Sequence, residues 1–165
     1  MSGVKMSVVH VRIEIAAAPE FVFATVMDPY RLTEWVTIHR SLANVSANPL
    51  APGAMMDQVL HMHGVSFKVH WRLASVRAPF AAEWDGRGPA YSRARILYGL
   101  SGAPEGPTTF DYTNEFSTPG GRLGRVASRV MVGAASEREA HYSLARLKML
   151  IESATQRTEG RQRQG

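Results

Sequence analysis

The residues of this chain that could do chemistry are polar side chains set into otherwise apolar strands. Four of them stand in segments where apolar residues alternate with polar ones, at positions predicted to lie on the inward face of a sheet. They are Gln58, Tyr98, Tyr112 and Asn114. The two phenols could donate protons, and the Asn amide could bind an enolate-like oxygen. Tyr98, Tyr112 and Asn114 are therefore the candidate catalytic residues. The alternative is that these side chains only complete a filled core.

Other chemistries lack the residues that they need. The chain has no cysteine, which excludes disulfides, thiolate metal sites and a cysteine nucleophile. His61 and His63 stand two residues apart, but His63 falls in a predicted turn and His61 on the solvent side of a strand. There is no phosphate-binding glycine loop and no nucleophile elbow. We therefore expect neither a metal nor a cofactor.

Strand and turn signals predict a sheet that carries the polar residues. Residues 8–15 alternate, with Val9, Val11, Ile13 and Ile15 on one face. Pro19 and Pro29 each begin a short helix after this strand. Turn clusters rich in Gly, Pro and Asn then separate six further strand-like segments, which are residues 42–47, 55–62, 65–76, 80–85, 91–100 and 108–117.

The register of the central hairpin can be predicted from its turn. If His63 and Gly64 form a two-residue loop with Gly64 at positive φ, Met62 lies opposite Val65. Counting outward places Asp57 opposite His70 as a surface pair. Directly opposed residues share a face, so one face is predicted to point inward with a single polar member. This inward set is Met56, Gln58, Leu60, Met62, Val65, Phe67, Val69, Trp71 and Leu73.

The later strands extend the same inward face. It is large, aromatic and rich in methionine, a composition that fits a small-molecule pocket with a few polar groups. We expect a cavity of at least about 300 Å³, the lower end for such pockets, and a core with no void of that size would count against this interpretation. The predicted inward residues of these strands are Phe80, Ala82, Trp84, Ile96, Tyr98, Leu100, Phe110, Tyr112, Asn114 and Phe116.

The C-terminal part of the chain reads as one long helix. Residues 122–155 contain no proline and carry an apolar stripe at helical spacing, which includes Leu144, Leu147 and Ile151. Because strands and helices are segregated rather than alternating, the fold class is α+β with an antiparallel sheet. We predict one domain over residues 1–155 and a disordered tail over 156–165. No secretory signal and no membrane-spanning run is expected, which predicts a cytoplasmic protein.

Four segments together resemble the START-like (SRPBCC) superfamily, in its polyketide cyclase/dehydrase-like branch. The resemblance implies a helix-grip fold, in which a seven-stranded antiparallel sheet curls around the C-terminal helix and encloses a ligand cavity. Members include lipid carriers, plant hormone receptors and aromatic polyketide cyclases, so the fold alone does not decide the chemistry. The four segments are Ala-Pro-Glu-Phe-Val-Phe at 18–23, Asp-Pro-Tyr-Arg-Leu-Thr-Glu-Trp at 28–35, Thr-Asn-Glu-Phe-Ser-Thr-Pro-Gly-Gly at 113–121 and Ser-Leu-Ala-Arg-Leu-Lys at 143–148.

Three functions follow as hypotheses. The first is binding of a small hydrophobic molecule, either aromatic, polyketide-like or lipid-like, by a monomer or homodimer. The second is a cyclase/aromatase that works on such a molecule. The third is an interaction module using the basic surface of a chain with net charge +5, although its dispersed arginines do not predict a nucleic-acid site. The predicted ligand-binding residues are Trp35, Met56, Gln58, Leu60, Phe67, Val69, Trp71, Trp84, Tyr98, Tyr112, Asn114, Val130 and Ala134.

Overall fold

Strands followed by one long helix make up most of the chain in the computed structural model, which describes residues 3–122, 124–125 and 134–164. Within these residues the elements are β1 (Lys5–Ile15), α1 (Pro19–Met27), a 3-10 turn (Pro29–Arg31), α2 (Leu32–Trp35), β2 (His39–Ala43), β3 (Met55–Met62), β4 (Val65–Arg77), β5 (Ala81–Arg87), a second 3-10 turn (Pro89–Tyr91), β6 (Arg93–Ser101), β7 (Thr108–Thr118) and α3 (Ala134–Gln162).

The sheet is antiparallel throughout the described residues, with strand order β1-β7-β6-β5-β4-β3-β2. From β2 to β7, strands that are consecutive in the chain are neighbours in the sheet. β1 pairs with β7 and forms one edge of the sheet. The helix α3 packs on β1 and on α2. This architecture confirms the predicted α+β helix-grip fold with two short helical segments after the first strand.

The hairpin between β3 and β4 has the predicted register. Met62 pairs with Val65, and Asp57 pairs with His70. Both loop residues adopt positive φ, 51° at His63 and 76° at Gly64. That conformation is the tight-turn geometry whose twist matches the flanking strands. The turn therefore fixes which side chains of both strands point toward α3.

Two residues that were predicted to point inward are exposed. Val65 is 45% exposed and Phe80 is 46% exposed. Val65 follows the hairpin turn at the tip of the sheet. Phe80 lies in the turn that precedes β5, and its N–H bonds to the carbonyl of Arg77. Val65 keeps its predicted place opposite Met62, but both side chains are exposed because they stand at strand ends that project beyond the core.

Gly86 was predicted to lie in a turn, but it is a buried residue of β5 opposite Trp71. A Cβ at Gly86 would come within 2.6 Å of the Trp71 ring and 2.9 Å of Val69. The absence of a side chain therefore gives the Trp71 indole its place against the sheet.

The long helix α3 ends at Gln162, beyond the predicted end near residue 155. Residues 156–162 are thus helical, where the sequence predicted the start of a disordered tail. Leu144, Leu147 and Ile151 form its buried stripe, as predicted. The part of the predicted helix at residues 126–133 lies outside the described residues.

The C-terminal half of α3 is fixed to the end of β1 by polar contacts. The Lys148 ammonium donates to the carbonyl of Glu14 at 2.6 Å and to Glu152 at 2.7 Å. The Glu152 carboxylate also accepts the Ala16 N–H at 2.9 Å. Lys148, with the Ala16 N–H, holds the pKa of Glu152 below its usual value. These contacts set the position of the helix over the sheet.

Replacing Gly86 by alanine should lower the free energy of unfolding by about 1–3 kcal/mol, because the new methyl group would displace Trp71. Gly99→Ala is the matched control, since its Cβ would meet Asp111 at an ordinary 3.6 Å. Urea denaturation measures both. Equal stabilities of the two variants would contradict the close contact between Gly86 and Trp71.

Candidate ligand-binding site

A cavity of about 130 Å³ lies between the concave face of the sheet and the N-terminal half of α3. Its floor comes from β3 to β7, and one side comes from α1, α2 and the segment that follows α2. Ser136 to Leu144 of α3 form its roof. This volume is below the roughly 300 Å³ expected from the sequence and counts against a pocket of that size. Large side chains occupy much of the space between sheet and helix.

The structure brings most of the predicted ligand-binding residues together around this cavity. For Val130 and the side chain of Ala134 the prediction lies outside the described residues. The predicted residues found in the cavity wall are Trp35, Met56, Gln58, Leu60, Phe67, Val69, Trp71, Trp84, Tyr98, Tyr112 and Asn114. All three tryptophans of the chain are among them.

Gln58 takes part in a buried hydrogen-bond chain on the cavity floor. The Trp71 indole N–H donates to Gln58 Oε1 at 2.9 Å. The Gln58 amide nitrogen donates to His39 Nδ1, also at 2.9 Å. Because Nδ1 accepts, the neutral His39 ring carries its proton on Nε2. Gln58 is thus satisfied within the protein and holds the Trp71 ring in the wall.

His39 was missed by the sequence analysis, because a β-bulge turns it inward. It pairs with Leu60, whereas Ser41 pairs with Val59, so Arg40 is the extra residue. The bulge reverses the alternation and puts His39 and Leu42 on the same face of β2. Burial lowers the pKa of His39 below its usual value. The predicted strand covered residues 42–47 with unbroken alternation. It did not reach His39, so the sequence analysis could not place His39 on the inward face.

The three candidate catalytic residues lie on neighbouring strands at one side of the cavity. Tyr98 on β6 is opposite Tyr112 on β7, and their ring centroids are 6.1 Å apart. Burial raises the pKa of Tyr98 far above its usual value. Burial likewise raises the pKa of Tyr112 to about 12, against the hydrogen bond from Asn114. Both phenols therefore keep their protons at neutral pH and can act as donors.

Two buried side-chain polar atoms of the described residues have no hydrogen-bond partner, and both belong to side chains that line the cavity. They are the indole nitrogen of Trp35 and the side-chain oxygen of Asn114. The Trp35 side chain belongs to α2 and is buried beside the cavity. Its position is that of a wall residue.

A polar contact at the edge of the cavity ties the segment after α2 to α3. The Thr37 N–H donates to Ser143 Oγ at 3.0 Å. The Thr37 hydroxyl donates to the Glu139 carboxylate at 2.8 Å. Glu139 and Ser143 line the cavity, and neither was predicted as a site residue. Both are polar residues that flank the buried apolar stripe of α3. The spacing of apolar residues along the helix therefore gave no signal for them.

The outward face of the sheet carries the predicted Asp57–His70 pair, with His70 Nδ1 2.6 Å from the carboxylate. Side-chain hydrogen bonds hold the pKa of Asp57 below its usual value, and the bond from Asn44 has a larger effect than the bond from His70. His61 contacts Ser66 on this face.

In the described part of the chain, no three His, Asp or Glu residues are arranged to hold a metal ion. No helix within the same residues is long and apolar enough to cross a bilayer.

The sheet, the gripping helix and the cavity between them define a helix-grip protein of the START-like (SRPBCC) class. The chain belongs to the family described as polyketide cyclase/dehydrase and lipid transport, whose sequence profile matches residues 6–152. No curated protein sequence matches the chain. The family was predicted from the four local segments, and this match confirms it.

Solved structures with the same fold differ widely in sequence. The Zhui aromatase/cyclase from Streptomyces sp. R1128 has a TM-score of 0.74 and 14% identity, covering 90% of this chain and 94% of its own. Protein SA2116 of unknown function from Staphylococcus aureus has a TM-score of 0.70 and 13% identity, covering 93% and 98%. Ara h 8.0201 has a TM-score of 0.64 and 12% identity, covering 90% and 99%. At these identities the likeness shows the fold alone.

The lowered pKa of His39 predicts a loss of stability in mild acid. An unfolded histidine binds its proton near pH 6.5, but the folded state resists protonation at His39. Stability should therefore be constant above about pH 6.5 and fall as the pH drops toward the folded pKa. Urea denaturation at about pH 7.5 and about pH 5.5 should show a smaller loss for His39→Asn than for the unmodified protein.

The matched control for this measurement is His63→Asn, at the tip of the β3–β4 hairpin, where asparagine tolerates the positive φ. It should keep the full pH dependence of the unmodified protein. If His39→Asn keeps it as well, His39 is not the group responsible.

Proposed function

We propose that this protein binds a small, mostly apolar molecule in the cavity between the sheet and α3. The observation that carries this proposal is the composition of the cavity wall. Aromatic and aliphatic side chains form most of it, and a few polar atoms converge on the same space. Such walls are typical of small-molecule sites. Membership in a family of cyclases and lipid transport proteins supports the same function.

The cavity volume limits the size of the bound molecule. At about 130 Å³ it is close to an engineered cavity of roughly 150 Å³ that takes up benzene. A molecule with several rings or a long chain requires the wall to move. Met27, Met56 and Met62 belong to that wall, and methionine adapts to new neighbours at little cost. We therefore propose a ligand of about one ring. Larger molecules would enter only if the side chains of the wall repack.

Filling the cavity roof should weaken binding. Ala140 lines the cavity from α3, so Ala140→Leu should lower the affinity for acetophenone by roughly tenfold or more. The indole N–H signals of the three tryptophans report binding in ¹H–¹⁵N NMR titrations, since all three line the cavity. Ser153→Leu on the exposed side of α3 is the matched control and should bind like the unmodified protein. Equal affinities of both variants would place the probe outside the cavity.

A second candidate function is the cyclisation of a bound polyketone. The observation that favours it is the grouping of Tyr98, Tyr112 and Asn114, with two phenols that stay protonated at neutral pH. In an aldol closure, the enol form of the chain adds through its α-carbon to a carbonyl carbon. A phenol could protonate the developing alkoxide and regain a proton from the enol hydroxyl, which becomes a carbonyl, so that no proton is gained or lost overall. The apolar walls would fold the chain and exclude water.

Loss of one phenol should slow such a reaction. With a linear poly-β-ketone thioester as substrate, Tyr112→Phe should reduce the rate of cyclisation about 100-fold if this phenol is the acid. Thr113→Val on the same strand is the control, because Thr113 faces the other side of the sheet from Tyr112. Unchanged rates for both Tyr98→Phe and Tyr112→Phe would rule out the phenols as proton donors.

A further inference from the structure

The two unpartnered polar atoms in the cavity wall carry specific information about the ligand. Leaving a buried polar group without a hydrogen bond destabilises the folded protein. In the part of the chain that the structure describes, the two such side-chain atoms are Trp35 Nε1 and Asn114 Oδ1, and both side chains line the same cavity. Their coincidence in one cavity indicates groups that a bound molecule would satisfy.

Trp35 can only donate. Its side chain is 2% exposed, and an indole nitrogen offers one N–H and no acceptor. The floor of the same cavity shows the satisfied counterpart, since the Trp71 N–H has the oxygen of Gln58. The Trp35 N–H lacks such an acceptor within the protein. Its missing partner must therefore be an acceptor, such as a carbonyl or ether oxygen.

Asn114 presents the opposite requirement. Its side chain lines the cavity from the same strand as Tyr112. The carbonyl oxygen is left buried and unpaired. Asn114 lies on β7 opposite Ile96, whereas Trp35 comes from α2. The missing partner at this wall must be a donor, such as a hydroxyl.

The described residues of the cavity wall include no cationic side chain that would neutralise an anionic ligand. Among the described lining residues, Glu139 is the one Asp, Glu, Lys, Arg or His, and its side-chain oxygen accepts a hydrogen bond from the Thr37 hydroxyl. Burying a carboxylate without a cationic partner is strongly unfavourable. A ligand ammonium would have a single acidic group at the cavity edge. An uncharged molecule is the one that the wall fits.

We infer that the ligand is an uncharged molecule with an apolar body of about one ring, an acceptor that takes the Trp35 N–H and a hydroxyl-type donor that binds Asn114 Oδ1. This inference rests on the proposed function and narrows its ligand to a class. Hydroxylated aryl ketones and aldehydes have this pattern. Fatty-acid anions and pure hydrocarbons do not.

The test compares four probes of one-ring size in the tryptophan indole NMR titration. Toluene has no polar group, acetophenone has an acceptor, 4-hydroxyacetophenone has both groups, and benzoate is charged. We expect 4-hydroxyacetophenone to bind roughly tenfold more tightly than toluene, and benzoate to bind no better than toluene. Acetophenone should move the Trp35 indole proton downfield as a hydrogen bond forms, and toluene should not.

Two variants assign the polar groups. Trp35→Phe should remove the advantage of acetophenone over toluene, and it identifies the Trp35 signal in the spectrum. Asn114→Leu, which is close in shape, should remove the advantage of 4-hydroxyacetophenone over acetophenone, as measured by the ratio of the two affinities in that variant. The Asn114 variant and the indole shift of the unmodified protein keep the test decisive if Trp35→Phe does not fold.

The outcomes separate this inference from the proposed function. If toluene binds as tightly as 4-hydroxyacetophenone, or benzoate binds most tightly, the cavity is a binding site but the inferred polar pattern is wrong. If the polar advantages survive in both variants, Trp35 and Asn114 are not the partners. If none of the probes shifts an indole signal, the proposed function fails and the inference fails with it.

Discussion

The position of α3 over the concave face of the sheet decides where the interior is packed and where a cavity remains. Leu147 and Ile151 bury the middle of the helix, and Lys148 and Glu152 fix it to the end of β1. The N-terminal half roofs the cavity instead. One helix thus packs on the core along its middle and roofs the cavity along its preceding turns.

The cavity wall divides its polar groups into two kinds. Gln58 is used within the protein, where it links Trp71 to His39 and keeps two large rings in fixed positions. Trp35 and Asn114 each keep one polar atom free of protein partners. The first kind makes the wall rigid, and the second kind makes it selective. A polar residue on an apolar face therefore does not by itself indicate a ligand contact; the hydrogen bonds around it decide.

The hairpin of β3 and β4 shows why so much of the floor could be predicted. Its strands alternate without interruption, and the His63-Gly64 turn permits one register, so the inward positions followed by counting. The same reasoning failed where the alternation is broken. The bulge at Arg40 turned His39 inward, and Gly86 proved to be a strand residue beneath Trp71. Glu139 and Ser143 were missed because helix periodicity marks the buried stripe and not its borders.

The sequence by itself determined the fold class, the family and the inward face of most strands, because these depend on local periodicity and turn chemistry. Only the tertiary structure decided the cavity's volume and which polar atoms remain unpaired in it. Those properties depend on how side chains from distant segments meet: Trp35 from a one-turn helix, Asn114 from the last strand and Ala140 from α3. Packing at that range is not encoded in any local pattern, since each contact joins residues far apart in the chain.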